Sequence, residues 1–230
     1  MSVTAVEAPA AASHVDVPAR APRAVAVRRW FLVASPVLAG LFAVVGAWAD
    51  PGAGISGREM WEIYAAEPDP LQWKSLGFHW SYSFWVTPAL LLAAYVRGKG
   101  AWIANVAALL GFVGMTTLPG LLIVDFYDSA IGQLYGVDAT AAVSEHMSTT
   151  MWGAAALAMP GMIGFMLALP LAALALWRAG LARWWAPLSV VAGYAAFLFS
   201  GVMWWGCAIT AVLFTVFAVA VERATRPTRA

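Results

Sequence analysis

Between Trp184 and Val221 the chain runs for 38 residues without a charged side chain. One straight helix of that length would be about 57 Å long, at about 1.5 Å per residue, nearly twice the roughly 30 Å of a bilayer's hydrocarbon core. The stretch is therefore expected to fold back, and Ser200-Gly201 near its middle marks the reversal. This gives two apolar segments of roughly 184–200 and 203–222. Earlier apolar runs occupy about 30–48, 76–96, 101–124 and 150–176, the last interrupted by Pro160-Gly161 and Pro170, residues that kink a membrane helix. With 62% hydrophobic and 11% charged residues and a mean hydropathy of +0.76, the chain has more apolar surface than a soluble core could bury. The expected fold is an all-α, polytopic transmembrane bundle of six spans in the cell membrane, with a lipid bilayer as its principal partner.

Orientation follows from the loops, because Lys and Arg in short loops collect on the cytoplasmic side. Arg20, Arg23, Arg28, Arg29, Arg97, Lys99, Arg178, Arg183, Arg223, Arg226 and Arg229 all fall on one predicted side, which leaves only Arg58 and Lys74 on the other. Asp50, Glu59, Glu62, Glu67, Asp69, Asp125, Asp128, Asp138 and Glu145 share that second side. This separation survives only if Ser200-Gly201 is a hairpin, so charge and hydropathy support the same six spans with both termini cytoplasmic. Trp30, Trp102, Trp177, Trp184 and Trp185 then mark inner ends, and Trp48, Trp80, Trp152, Trp204 and Trp205 outer ones, as amphipathic rings at headgroup depth.

The remaining segments are less apolar. Residues 1–27, rich in Ala, Pro and Val without aromatic side chains, read as a disordered cytoplasmic tail, 28–223 as the membrane domain and 224–230 as a second tail. The basic stretch, the first apolar run and Ala47-Trp48-Ala49 together resemble a signal peptide. The run's length and the tail before it favour a retained helix. Ser56-Gly57-Arg58-Glu59 has capping-box spacing and predicts a short surface helix, and Asp138 is a candidate N-cap for a helix through Met147 that leads into the fourth span. The excess of Arg over Lys and the abundance of Ala suggest a bacterial genome. Cys207 stands alone in an apolar run, which excludes an intramolecular disulfide and reads as packing.

No phosphate-cradling loop, H-E-x-x-H, G-x-S-x-G or dinucleotide fingerprint is present, which argues against a nucleotide-driven pump, a zincin and a Rossmann enzyme. A net charge of +1 gives no case for nucleic acid as a partner. What could carry chemistry lies at the outer ends of spans two to four: His79, Asp125, Asp128, Glu145 and His146. Ionisable groups at membrane depth are expensive unless they meet a partner or a polar cavity. Depth therefore decides whether these five are loop charges or a ligand-binding site.

Three functional classes follow. The first is a module that binds or moves a small ligand, ion or lipid headgroup in an outward-facing polar pocket. The second is a membrane-embedded enzyme in which His79, Asp125 and His146 hold zinc or another divalent metal, with Asp128 or Glu145 as general base. The third is an accessory subunit of a partner membrane protein. Haem ligation by His79 and His146, and Cu(I) binding on the Met147, Met151, Met159, Met162, Met166 stripe, are weaker variants. Small residues at Ala104, Ala107, Ala108 and Gly111, and at Ser189 and Gly193, predict close helix contacts, with Asn105, Thr116 and Thr117 as hydrogen-bonding glue.

Overall fold

A computed structural model describes residues 23–226 of the chain. Those residues form nine helices: α1 (Arg23–Ala49), α2 (Arg58–Ala66), α3 (Pro68–Leu92), α4 (Ala101–Leu121), α5 (Ile123–Tyr135), α6 (Val137–Thr150), α7 (Trp152–Arg178), α8 (Trp185–Phe199) and α9 (Trp204–Ala224). Six of them close a ring in the order α1, α3, α4, α7, α8, α9, each packed on the next and α9 on α1. The others, α2, α5 and α6, pack on one another over one end of the ring, here termed the capped end. Residues 1–22 and 227–230, and with them most of the expected tails, lie outside the described residues. Arg23 to Val27, assigned to the first tail from sequence, already form the start of α1.

The ring closes on small residues. Beyond Leu32, the inward face of α1 is Ser35, Pro36, Ala39, Gly40, Ala43, Gly46 and Ala47, a helical stripe of small side chains. A Cβ on Gly77 of α3 would lie 2.5 Å from the Gly46 nitrogen, so α1 and α3 touch backbone to backbone. Gly40 meets the Ala211 backbone of α9 in the same way, and a Cβ on Gly164 of α7 would lie 2.5 Å from the Leu110 carbonyl of α4. Of the face expected at Ala104, Ala107, Ala108 and Gly111, all but Ala108 are buried, and Ala104 and Ala107 are 1% and 0% exposed; Ala108 is half-buried. Polar glue comes from different residues than expected. Ser81 donates to the Ala39 carbonyl (2.8 Å), Thr210 to Gly193 (2.9 Å) and Tyr194 to Phe165 (2.6 Å), each crossing between helices. Thr116 instead bonds back to its own helix, and Asn105 is exposed.

Aromatic side chains fill the axis. The fully buried Trp85 has ring centroids of Phe214 at 4.5 Å, Phe165 and Phe197 at 5.0 Å and Tyr194 at 5.1 Å, which joins α3 to α7, α8 and α9. Outward faces are apolar too: Leu41, Leu109, Phe112, Leu157, Val191 and Val212 are all exposed. An exposed apolar belt of this size is compatible with an integral membrane protein.

Four helical stretches are long and apolar enough to cross a membrane: Arg23–Ala49, Ala101–Tyr135, Trp152–Arg178 and Trp204–Ala224. The other two ring helices fall short for different reasons: α3 carries Ser75, His79, Ser81, Tyr82 and Ser83 even beyond its polar opening, and α8 is apolar but only 15 residues long. The reversal at Ser200-Gly201 is present. Gly201 and Val202 both have positive φ (64° and 63°), and the Val202 N–H is held by the Phe197 carbonyl at 3.2 Å. A β-branched residue is strained in that conformation, which tertiary packing on both flanks maintains.

Antiparallel neighbours place the start of α1 and the end of α9 together. Arg29 of α1 forms a salt bridge with Glu222 of α9 at 2.7 Å, which ties those two helix ends to each other. Arg97 and Lys99 lie in the α3–α4 hairpin, where Gly100 abuts Ala175 near the end of α7, so the basic segments share the end opposite the cap.

Because the backbones touch at Gly77 and Gly164, Gly77→Val or Gly164→Val should lower stability by about 1–3 kcal/mol or more. Thermal unfolding of the detergent-solubilised protein should read this as a Tm drop of about 5 °C, at roughly 2–4 °C per kcal/mol for a chain this size. Gly153→Ala, where a Cβ meets nothing within 4 Å, should leave Tm unchanged.

Candidate functional site

At the capped end one buried cation organises the polar groups. Lys74 enters on the first turns of α3 and its Nζ donates to Asp125 Oδ2 at 2.7 Å and to the Tyr64 hydroxyl at 3.0 Å. Ser75 donates to the same Asp125 oxygen, also at 2.7 Å. The Lys74 and Asp125 side chains are only 11% and 18% exposed, so the pair is largely withdrawn from water. Tyr64 comes from α2 and Asp125 from α5, so this ion pair ties the cap to the ring. Ser129 reinforces it by donating to the Tyr64 carbonyl at 2.6 Å.

Asp50, just beyond α1, completes the cluster. Its Oδ1 accepts the Gly52 N–H at 3.0 Å. Burial pushes the Asp50 carboxyl above its ordinary range, against the opposing charge of Lys74 and the Gly52 hydrogen bond. Burial likewise raises the Tyr64 phenol, again opposed by Lys74.

The residues singled out from sequence divide. Asp125 is the anion of the buried pair. Asp128, one turn on, is half-buried beside Trp61 rather than joined to the Lys74 pair, and its backbone carbonyl accepts from Thr140 at 3.3 Å. His79 lies one turn below Ser75, and its Nδ1 is 3.1 Å from the Pro119 carbonyl. A carbonyl only accepts, so Nδ1 is the donor in this contact. His146 and Glu145 are exposed on α6; the His146 ring reaches only Thr150, at 3.5 Å. Among the described residues no three His, Cys, Asp or Glu side chains converge as a metal would need. Along the methionine stripe, Met147, Met151, Met159 and Met162 are exposed.

Two helix starts differ from expectation. Gly57, without a side-chain cap, precedes α2, so the Ser56 capping box does not form. Asp138 sits inside the first turn of α6 and pairs with Arg58, while Gly136 occupies the N-cap. Nor does α6 run into α7, because Met151 leaves the helical conformation between them.

Two recesses flank the cluster. The larger, about 590 Å³, lies between the end of α1 and the start of α3 and is lined by Val45, Trp48, Asp50, Glu67, Pro70 and Trp73 among others. The smaller, about 290 Å³, lies between α3 and the α4–α5 junction, where Ser75 and His79 are the polar members among Leu76, Trp80, Leu122 and Phe126. Sequence reasoning named His79 and Asp125 but missed Asp50, Tyr64, Lys74 and Ser75. The available signal was Lys74 itself, one of only two cations on the acidic side. The chain matches no protein-family model, no curated protein and no solved structure.

Lys74→Met leaves the Asp125 carboxylate buried without its counter-charge and should lower stability by about 3–5 kcal/mol. Lys74→Met combined with Asp125→Leu should recover most of that loss. Urea or thermal unfolding in detergent checks both; a single variant as stable as the native chain would remove the pair from its anchoring role.

Proposed function

We propose that this is a cell-membrane protein of six crossings, with both termini cytoplasmic, that binds a lipid or other amphiphile at its outward-facing capped end in order to sense or move it. The observation that carries this reading is the pair of recesses on either side of the Lys74–Asp125 cluster. Each combines polar groups, Asp50 and Glu67 in one and Ser75 and His79 in the other, with apolar and tryptophan side chains. That is the lining an amphiphile needs.

Several features support the six crossings. The ring has six members, the basic segments gather at the end opposite the cap, and tryptophans flank α8 on both sides. At about 22 Å, α8 is short for a crossing, which local thinning of the bilayer or its interfacial tryptophans can accommodate. The backbone contacts of Gly40 and Gly46 favour a retained first helix over a cleaved signal sequence. The aromatic plug around Trp85 favours binding at the lipid-facing side over passage along the axis. A second reading, an accessory subunit of a membrane complex, draws on Tyr127, Leu134 and Tyr135, exposed on α5 at 61%, 73% and 75%.

Topology is checked by reporter fusions after residues 60, 98, 135, 180 and 230. Activity characteristic of the outside is expected at 60 and 135 only, and an outside signal at 230 removes the six-crossing arrangement. Binding is checked with a phospholipid carrying a diazirine near its headgroup, photolysed in nanodiscs and mapped by peptide mass spectrometry. Labels should concentrate on α1's end, the first half of α3 and the α4–α5 junction; labelling spread evenly around the ring would refute the reading.

A further inference from the structure

The charges of the capped end do not balance locally. Its two cations are already engaged: Arg58 with Glu62 and Asp138, and Lys74 with Asp125. In the larger recess stand two carboxylates, Asp50 and Glu67, that take part in no salt bridge among the described residues. Asp50 is partly withdrawn from water, so its negative charge is incompletely solvated and gains from a neighbouring cation. Trp48 and Trp73 line the same recess and are 79% and 64% exposed, so both residues are accessible to a ligand. Carboxylates beside tryptophan faces are the combination that receives an ammonium group.

The recess also has an apolar extension. A second hollow of about 200 Å³ shares Val45 and Trp73 with it and adds Phe42, Leu76, Gly77 and Trp80. Two of those positions, Gly77 and Phe42, sit where α1 and α3 approach most closely, so the hollow follows the α1–α3 seam away from the cap. A headgroup seat above and a hydrocarbon track below describe one amphiphile lying along the seam.

We infer that the α1–α3 groove selects a cationic amphiphile, its ammonium group held by Asp50, Glu67, Trp48 and Trp73 and its chain along the track beneath. This rests on the amphiphile-binding reading above and adds the charge of the ligand to it. Anionic headgroups are disfavoured by the two carboxylates, neither of which forms a salt bridge among the described residues, and an uncharged headgroup leaves Asp50 only the charge of Lys74, which Asp125 already engages.

Three lipids with identical dioleoyl chains separate the possibilities: dioleoyl-trimethylammonium-propane, dioleoylglycerol and dioleoyl-phosphatidylglycerol. Each is titrated into the full chain in detergent and counted by native mass spectrometry. The cationic lipid is expected to bind about tenfold more tightly than the other two. Asp50→Asn, which keeps the oxygen that accepts the Gly52 N–H, and Glu67→Gln, at an exposed position, should each erase most of that preference. Glu59→Gln, an exposed acid on α2 that does not line the groove, should leave it intact. Equal binding of all three lipids, tighter binding of the anionic one, or a cationic preference that survives both groove variants overturns the charge assignment while the amphiphile reading stands. Failure of all three lipids to bind overturns both.

Discussion

Close approach of helix backbones is the constraint on which the ring depends. Helices whose outward faces are as apolar as their contacts gain little from hiding apolar surface from one another in lipid. Association then rests on van der Waals packing and on hydrogen bonds between helices. Its three most extensive interfaces, α4 with α7, α1 with α3 and α1 with α9, each contain glycine against backbone: Gly164 on Leu110 and Gly114, Gly77 on Gly46, and Gly40 on Ala211. Where the backbones stand further apart, aromatic rings around Trp85 fill the space. Small residues at the seams and large ones on the axis are two parts of one packing solution, and together they define where a groove can remain.

The capped end follows different physics. Here α2 and α6 are weakly apolar, and a largely buried ion pair between α3 and α5 adds to the packing that holds the cap. Lys74 draws the Asp125 carboxylate and the Tyr64 hydroxyl onto the start of α3, and Ser75 satisfies the same carboxylate. Such a pair stabilises little relative to a well-packed apolar alternative, yet it fixes geometry, because either partner alone would be left buried and uncompensated. Its consequence for function is indirect. With Lys74 held in this pair and Arg58 held by Glu62 and Asp138, Asp50 and Glu67 are left to give the α1–α3 groove its negative character.

Much of this architecture was legible from residues alone. The apolar runs locate the ring helices to within a few residues at most ends, since hydropathy over twenty positions averages out local ambiguity. The polar start of α3 is the main departure: the helix begins at Pro68, well before the apolar run expected from Leu76, and that early segment carries Lys74. The site was only half legible. Asp125 and His79 were recognised as costly at that depth, whereas their partners were not. Pairing depends on the rotation of α3 about its own axis and on how α2 and α5 fold over it. His146 and Glu145 looked equivalent to them in sequence, but the break at Met151 leaves α6 outside the ring, with both side chains exposed.

What the amino-acid order determined by itself was therefore the set of apolar helices, the separation of basic from acidic segments and the reversal at Ser200-Gly201. Composition, periodicity and chain reach are properties of contiguous residues. Only the tertiary structure decided that the helices close as a ring, that Trp85 plugs its axis, and that the two cations on the acidic side are both ion-paired. Those outcomes depend on contacts between residues tens to hundreds of positions apart, Lys74 with Asp125 and Arg29 with Glu222 among them. No local pattern encodes the angle at which two helices meet.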